Sequence, residues 1–541
     1  MSGFTGTSRL VRLALRRDRI TLPAWILGMA GFLAATTAMF EDSYTKHPQL
    51  LVPDTRIVVE NPGMRVLGLV TGPSIGGYAL HRDALTLAVL AAMMSVLAVV
   101  RHTRQSEELG REEMLRAGVV GRHASLAAAV LVGLAANVVL MFALGLGMVA
   151  AGQPATGAFV GGASIALVGV VFTGVAAVTS QLASTARGAI GLAGAGLGVS
   201  FVLAALGNML GTVDSAALRV TSAWPAWLSP IGWSQQMRPF ADNALWPAGL
   251  AVLMMASLCA LAIVLVGKRD VGRGTWPERT GAAHASPTTR SSTGLVWRLQ
   301  RGALLGWMIG LFGFGLVFGA LGDQIGGLQG EGTEWYNTFG GDVDLLGAYW
   351  ASMMQFGGML VGICVTTLLL RLHHDEAQGE LEAVLGTAVS RVRWLGAYAV
   401  NALVGSVVLL LVFASAMAIT GGQALGGTGS LLRDLIGAAL VQLPAVSVLA
   451  AAVVTLIMLL PRWSVGLSWA LVVGSIVVGP MFGPAMGLPQ WVLDLSPFTH
   501  VPNAPAVDPT IGPLLGLCLV SGLLATAAVL SLRRRNLALP V

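Results

Sequence analysis

The sequence predicts an all-α polytopic membrane protein of about twelve transmembrane helices, arranged as two parallel six-helix repeats related by a pseudo-twofold axis along the membrane normal. Three observations predict it. Hydrophobic residues make up 55% of the 541 positions and charged residues only 11%, with a mean hydropathy of +0.76; these values lie outside the range of soluble domains. Apolar runs of about 20 residues, enough to cross a ~30 Å hydrocarbon core, recur about twelve times. Short sequence islands recur in one order in the two halves.

In chain order, the N-terminal MSGFTGTSRLVRLALRRDRI has no small-residue cleavage site between its charges and the first apolar run, so it reads as retained. Arg9, Arg12, Arg16 and Arg19 fall at i, i+3, i+7 and i+10, with Leu10, Leu13 and Ala14 on another face. That spacing fits a short helix lying in the cytoplasmic interface; a disordered basic tail that orients the first span is the alternative. Apolar runs follow near 22–40, 84–100, 124–151, 157–183, 188–211 and 245–266. Residues 267–294, rich in Gly, Ser, Thr, Pro and Arg, read as a flexible cytoplasmic linker. The second set of spans lies near 303–322, 351–370, 394–420, 435–460, 463–486 and 511–532. The domains are therefore 1–266, the linker, and 295–541.

With a cytoplasmic N-terminus, only seven of the 32 Lys and Arg residues fall outside: Lys46, Arg56, Arg65, Arg82, Arg219, Arg238 and Arg433. This positive-inside bias supports an even number of spans with both termini cytoplasmic, in a bacterial inner membrane. It also accounts for the net charge of +6 without a nucleic-acid partner. Cys259, Cys364 and Cys518 all sit in apolar runs and suggest neither disulfides nor a metal site.

The repeat is carried by four islands. Trp25 to Phe32 matches Trp307 to Phe314, with Arg16 and Arg19 matching Arg298 and Arg301. Glu107, Gly110, Glu113 and Arg122 match Glu376, Gly379, Glu382 and Arg391. Arg187, Gly191 and Leu192 match Arg462, Gly466 and Leu467, and Trp224 with Leu228-Ser-Pro230 matches Trp491 with Leu495-Ser-Pro497. Each half carries an even number of spans, so the repeats run parallel.

The second island lies in a polar stretch, HHDEAQGELEAVLGTAVSR, between two apolar runs. Leu381, Val384, Leu385 and Ala388 share one helical face and Glu376 and Glu380 another, which predicts a short amphipathic helix presenting carboxylates to a soluble partner. Arg391 or Arg122 would close that helix at its C-terminus. A solvated topogenic loop is the bland alternative, and it does not explain the repeated Glu-x-x-Gly-x-x-Glu. A metal site at His373, His374, Asp375 and Glu376 would exist in one copy only, because the aligned residues are Arg104, Gln105, Ser106 and Glu107. Asp342-x-Asp344 alone is weak support for a glycosyltransferase. Neutral polar groups, Asn137, Asn208, Gln355, Asn401 and Gln442, occur at depth, where they bond between helices or face a substrate. Arg82, Asp83, Arg433 and Asp434 are placed at external span ends, leaving no charged group at the centre to couple ions. Trp224 and Trp491 suit an interfacial belt, and Pro230 and Pro497 break helices there; together they are candidates for an external gate.

Glu376 to Arg391 resembles the loop motif of type-2 ATP-binding-cassette (ABC) exporter permeases, approximately E-x-x-G-[ST]-[LM]-E-x-L-L-x-[ST]-P-[VLI]-[ST]-R. Glu376, Gly379, Leu381, Glu382, Leu385, Thr387, Val389, Ser390 and Arg391 match, whereas Glu380 and Ala388 depart. In the first copy Glu107, Gly110, Glu113, Leu115 and Arg122 fit, and Arg111, Glu112 and Gly118 depart. The fused twelve-span form is similar to actinobacterial permeases described as tetronasin or polyketide-antibiotic exporters. The resemblance implies the type-2 exporter fold and a coupling helix in each half, docked on separate nucleotide-binding subunits, two identical copies, that carry ATP and Mg. The chain itself has no G-x-x-x-x-G-K-[ST], no catalytic residues and no metal of its own. The family's cavity-lining second and fifth spans place Met93, Met94, Asn208, Met209, Met353, Met354 and Gln355 as candidates for contact with lipophilic cargo, where flexible thioethers suit varied apolar shapes; packing is their other reading. An ion-coupled multidrug carrier and a membrane scaffold or lipid enzyme are the rival functions.

Overall fold

The computed structural model of the chain describes residues 3–61, 64–116, 118–269, 274–276, 284, 290–326, 345–377, 379–425, 427–480, 483–484 and 488–534. Most of the linker, Asp342 and Asp344 lie outside them. The chain divides into two compact units, residues 1–281 and 282–541.

The first unit opens with α1 (Thr7–Arg17), whose Arg9, Arg12 and Arg16 are exposed while Ala14 packs against α7. One expectation shifts here: Arg19 lies beyond the helix end. The spans are α2 (Thr21–Lys46), α4 (Ile75–His102), α7 (Ala124–Ala150), α8 (Ala155–Leu182), α9 (Ala186–Met209) and α11 (Trp246–Lys268). Between them stand α3 (Leu51–Glu60), the short α5 (Arg104–Glu108), α6 (Arg111–Arg116) and α10 (Pro230–Gln235), and one antiparallel ribbon, β1 (Thr212–Asp214) with β2 (Arg219–Thr221), paired Val213 to Val220. The ribbon is the one departure from all-helical structure among the described residues. It closes on the segment between α2 and α4, where Val58, Val59, Val70, Leu218 and Val220 form a small core.

At the centre of this unit α8 packs against α4, α7, α9 and α11. Glycines make that possible. A Cβ at Gly162 would stand 2.4 Å from the Met141 carbonyl oxygen and one at Gly169 2.0 Å from Asn137, so α7 and α8 approach at backbone distance as small residues allow within a membrane.

The second unit comprises α12 (Ser292–Gly326), α13 (Leu345–Ala377), α14 (Glu380–Leu385), α15 (Arg391–Leu425), α16 (Thr428–Val441), α17 (Leu443–Leu459), α18 (Ser464–Val477), α19 (Gln490–Leu493) and α20 (Ile511–Arg534). Its fourth span is broken at Gln442, because Pro444 lacks an N–H and its ring clashes with the preceding turn. The fifth, expected near 463–486, ends at Val477 ahead of Gly479-Pro480; fourteen residues make about 21 Å, short of a full crossing. Among the described residues eleven helices are long and apolar enough to span a membrane, and α18 is not one of them. Within this unit α12 packs on α15, α13 on α15 and α17, and α17 on α20 and α18. In the first unit the helices of the same rank pair in the same way: first with third, second with third and fourth, fourth with fifth and sixth.

Candidate functional site: the loops after the second and eighth spans

Both loops are built on one turn. Gly110 follows α5 with φ +68° and Gly379 follows α13 with φ +76°, the left-handed region that side chains with a Cβ avoid. In each the glycine N–H donates to the carbonyl of the motif glutamate, Gly110 to Glu107 at 3.0 Å and Gly379 to Glu376 at 3.2 Å. A six-residue helix follows at once, α6 or α14. Glu-x-x-Gly is therefore a helix stop, and the repeat in sequence is a repeat in backbone geometry.

The carboxylates are placed differently from expectation. Glu107 is buried and clamped: Arg104 donates to it at 2.5 Å and Arg269 at 2.5 and 2.9 Å. Arg104 spends its remaining N–H groups on the Ala183 carbonyl. Glu108 accepts from the Ala186 backbone N–H at 2.8 Å, capping the start of α9, and Glu112 accepts from Ser125 at 2.9 Å. Of the first loop's glutamates Glu108 and Glu113 are exposed, and Glu108 is engaged at the start of α9. The side chain of Leu115 lies outside what is described.

In the second loop Glu376 is also buried, and Asp375 accepts a hydrogen bond from Tyr398 with Arg371 3.5 Å away. Leu381 seats α14 on its unit, while Glu380 and Glu382 face outward. The amphipathic expectation thus holds for Leu381, but Glu376 belongs to the buried side. Arg391 and Arg122 do not close the short helices: α14 ends at Leu385, and Arg391 is the first residue of α15. Arg122 instead donates to the Arg269 carbonyl at 3.2 Å.

The start of the linker is fastened to the first loop. Besides Glu107, Arg269 donates through Nε to Gln181 at 2.7 Å, and Thr275 and Trp276 donate backbone N–H groups to the Gln181 and Leu182 carbonyls. A second tether holds the N-terminus: Asp18, 1% exposed, accepts from Arg101 and His102, both at 2.6 Å. Burial pushes the Asp18 carboxyl up, and the bonds from His102 and Arg101 outweigh it, leaving it below the ordinary carboxylate range. Sequence reasoning missed Arg104, Arg269, Gln181, Asp18 and His102. A Glu three residues after Arg104 is visible as an i, i+3 pair, but Arg269 is 162 residues away and carries no signal.

The cavity candidates are largely packed inside their units. Met94, Met353 and Met354 are buried in apolar cores, Met209 is half-buried, and Met93 is 42% exposed. Asn208 donates to Gln235 and accepts from Ser222, and Gln355 donates to Asn503. Asn137 joins α7 to Ser95 of α4 at 2.8 Å. Asp83 sits in the third turn of α4, which begins nine residues before the expected span, and accepts from Thr36 of α2 at 2.6 Å.

On the opposite face the Leu-Ser-Pro islands share a contact. Ser229 Oγ donates to the Ser200 carbonyl of α9 at 2.6 Å, and Ser496 Oγ to the Ser475 carbonyl of α18 at 2.7 Å. Both serines are fully buried, whereas Trp224 and Trp491 are 72% and 70% exposed. Pro230 opens α10, and Pro497 opens a 3-10 turn.

Two comparisons bear on this arrangement. A family model described as "Multidrug efflux system permease Rv1217c, C-terminal domain" matches residues 290–533. The multidrug efflux system permease protein Rv1217c of Mycobacterium tuberculosis (strain ATCC 25618 / H37Rv) is 36% identical over 539 residues, covering 99% of this chain and 96% of that protein.

Proposed function

The chain belongs to the family of multidrug efflux system permeases that includes Rv1217c, and from that premise we propose that it is the membrane subunit of an ATP-driven ABC exporter moving amphipathic or lipophilic compounds, drug-like or polyketide, out of the cell. The observation that carries the reading is the loop geometry, built twice: a helix stopped by a left-handed glycine, then a six-residue helix seated on its own unit. The like pairing of helices within each unit supports two parallel repeats of the type-2 exporter fold. The Lys and Arg distribution supports both termini and both loops on the cytoplasmic side of a bacterial inner membrane.

On this reading ATP and Mg belong to two identical partner subunits, and the chain does mechanical work only. The second loop is the principal contact, since Glu380 and Glu382 face outward; Glu113 and the surface of α6 serve in the first. Binding of ATP by the partners moves these loops, and each unit answers by exchanging access across the membrane.

Co-purification with the ATPase encoded beside this chain, followed by ATPase and export assays, tests the reading. Glu380→Gln with Glu382→Gln removes two exposed charges and leaves the fold intact, so assembly or drug-stimulated hydrolysis falls at least tenfold. Glu376→Ala, by contrast, acts on a buried group and lowers stability. A double variant that assembles and exports normally sinks the docking assignment.

Asp83 supports a second reading, an ion-coupled carrier, because a buried carboxylate inside a span is costly and commonly functional. Asp83→Asn that abolishes export while ATPase coupling is unchanged would favour it.

A further inference from the structure

Between α1, the end of α4, the loop helices α5 and α6, and the start of α7 lies a cavity of about 240 Å³. Leu10, Leu13, Met114 and Ala128 give it apolar walls, and Arg17 and Arg111 stand at it as exposed cations. No carboxylate forms an ion pair with those two guanidiniums among the described residues. Asp18 is taken by Arg101 and His102, and Glu112 by Ser125. Arg17 is held below its ordinary value by burial, then by repulsion from Arg111 and Arg101, which together outweigh the attraction of Asp18. The same helix leaves Leu13 and Leu15 exposed beside Arg9, Arg12 and Arg16, the pattern of a helix lying at headgroup depth.

We propose that this groove binds one anionic phospholipid of the cytoplasmic leaflet, its phosphate held by Arg17 and Arg111 and the top of its acyl chains against Leu10, Leu13 and Met114. A free phosphate would satisfy the cations but not the apolar walls. The lipid bridges the N-terminal helix and the first loop, so that loop's position depends on the membrane's charge. The proposal rests on the reading that α1 lies on the cytoplasmic side, and it does not depend on the ATPase.

Phosphatidylglycerol is titrated into the detergent-solubilised full chain and bound lipid counted by native mass spectrometry. Arg17→Gln with Arg111→Gln weakens retention about 30-fold, from about 1 kcal/mol for each basic residue near an anionic headgroup. Arg12→Gln with Arg16→Gln, the same charge removed from the same helix away from the groove, changes it less than threefold. Arg17→Lys with Arg111→Lys keeps it within threefold, which separates lost charge from a misfolded groove. Equal loss in both Gln pairs, no loss in the first pair, or displacement of the lipid by 10 mM inorganic phosphate overturns the site. Loss of the ATPase partner from the Arg17/Arg111 Gln pair in lipid-free detergent marks a protein-docking surface and overturns it too. Sidedness is read separately: Arg12→Cys, with the native cysteines replaced by alanine, resists an impermeant maleimide added outside intact cells. Labelling there overturns the leaflet assignment whatever the lipid affinity.

Discussion

Substituting Glu107 by Gln probes the ionic clamp beneath the first loop. The carboxylate holds two guanidiniums, Arg104 with no side-chain exposure and Arg269 with 6%, at 2.5 Å each. The triad carries one excess positive charge, so neutralising Glu107 leaves two buried cations facing one another. Breaking a buried ion pair in this way costs about 3–5 kcal/mol. Arg269→Gln instead leaves a balanced Arg104–Glu107 pair, and the lost bonds are offset by relief of repulsion; the cost is about 1.5 kcal/mol, the low end for a bond to a charged group. Glu107→Gln with Arg269→Gln removes the second stranded cation and destabilises no more than Glu107→Gln alone. Thermal unfolding in nanodiscs, followed by tryptophan fluorescence, reads the series; for units of this size about 2–4 °C accompanies each kcal/mol, so Glu107→Gln lowers the midpoint on the order of 10 °C. The reasoning is refuted if Arg269→Gln is as harmful as Glu107→Gln, or if the double variant shows the sum of the two.

Further outcomes follow from other contacts. Gly110→Ala has open space around the new methyl but a φ of +68°, so it costs about 1–2 kcal/mol by backbone strain alone, and Asn at the same position recovers part of that loss in the same melt. Ser229→Ala and Ser496→Ala each cost about 1 kcal/mol for the lost hydroxyl bond, seen as lower midpoints with unchanged helicity. Asp18 has a depressed carboxyl value in the folded chain, so its contribution is present above the unfolded pKa of about 3.9 and is lost as pH falls through the folded value. Between pH 6 and pH 3 the parent chain therefore loses more stability than Asp18→Asn, and equal slopes would exclude the tether.

The spans were legible because burial in lipid leaves a long apolar run, but their ends were not: α12 begins at Ser292, eleven residues before the run near 303–322, and α13 (Leu345–Ala377) passes the run near 351–370 at both ends. α4 begins at Ile75, before the apolar run, because His81 and Asp83 find partners inside the unit rather than ending the helix. α18 falls short because Gly479-Pro480 stops a pattern that hydropathy alone carries on. The loop motif was legible as a repeat, and its glycines proved to be the turn. Its glutamates were not, since exposure depends on partners such as Arg269 that reach the loop only in three dimensions. The same limit applied to Asn208, whose polarity signalled a role but whose bonds to Gln235 and Ser222 turn it toward structure.

The serines of the two Leu-Ser-Pro islands fasten their segments to α9 and α18 with hydroxyl to carbonyl bonds in fully buried positions, while the loop face relies on Asp18, Glu107 and their arginines. A neutral clasp has no proton to lose and no counterion to screen. Its strength is therefore indifferent to the acidity and salt of the medium, whereas the ionic fastenings respond to both. Each Leu-Ser-Pro clasp thus holds across changes of acidity and salt that loosen the ionic fastenings beneath the loops.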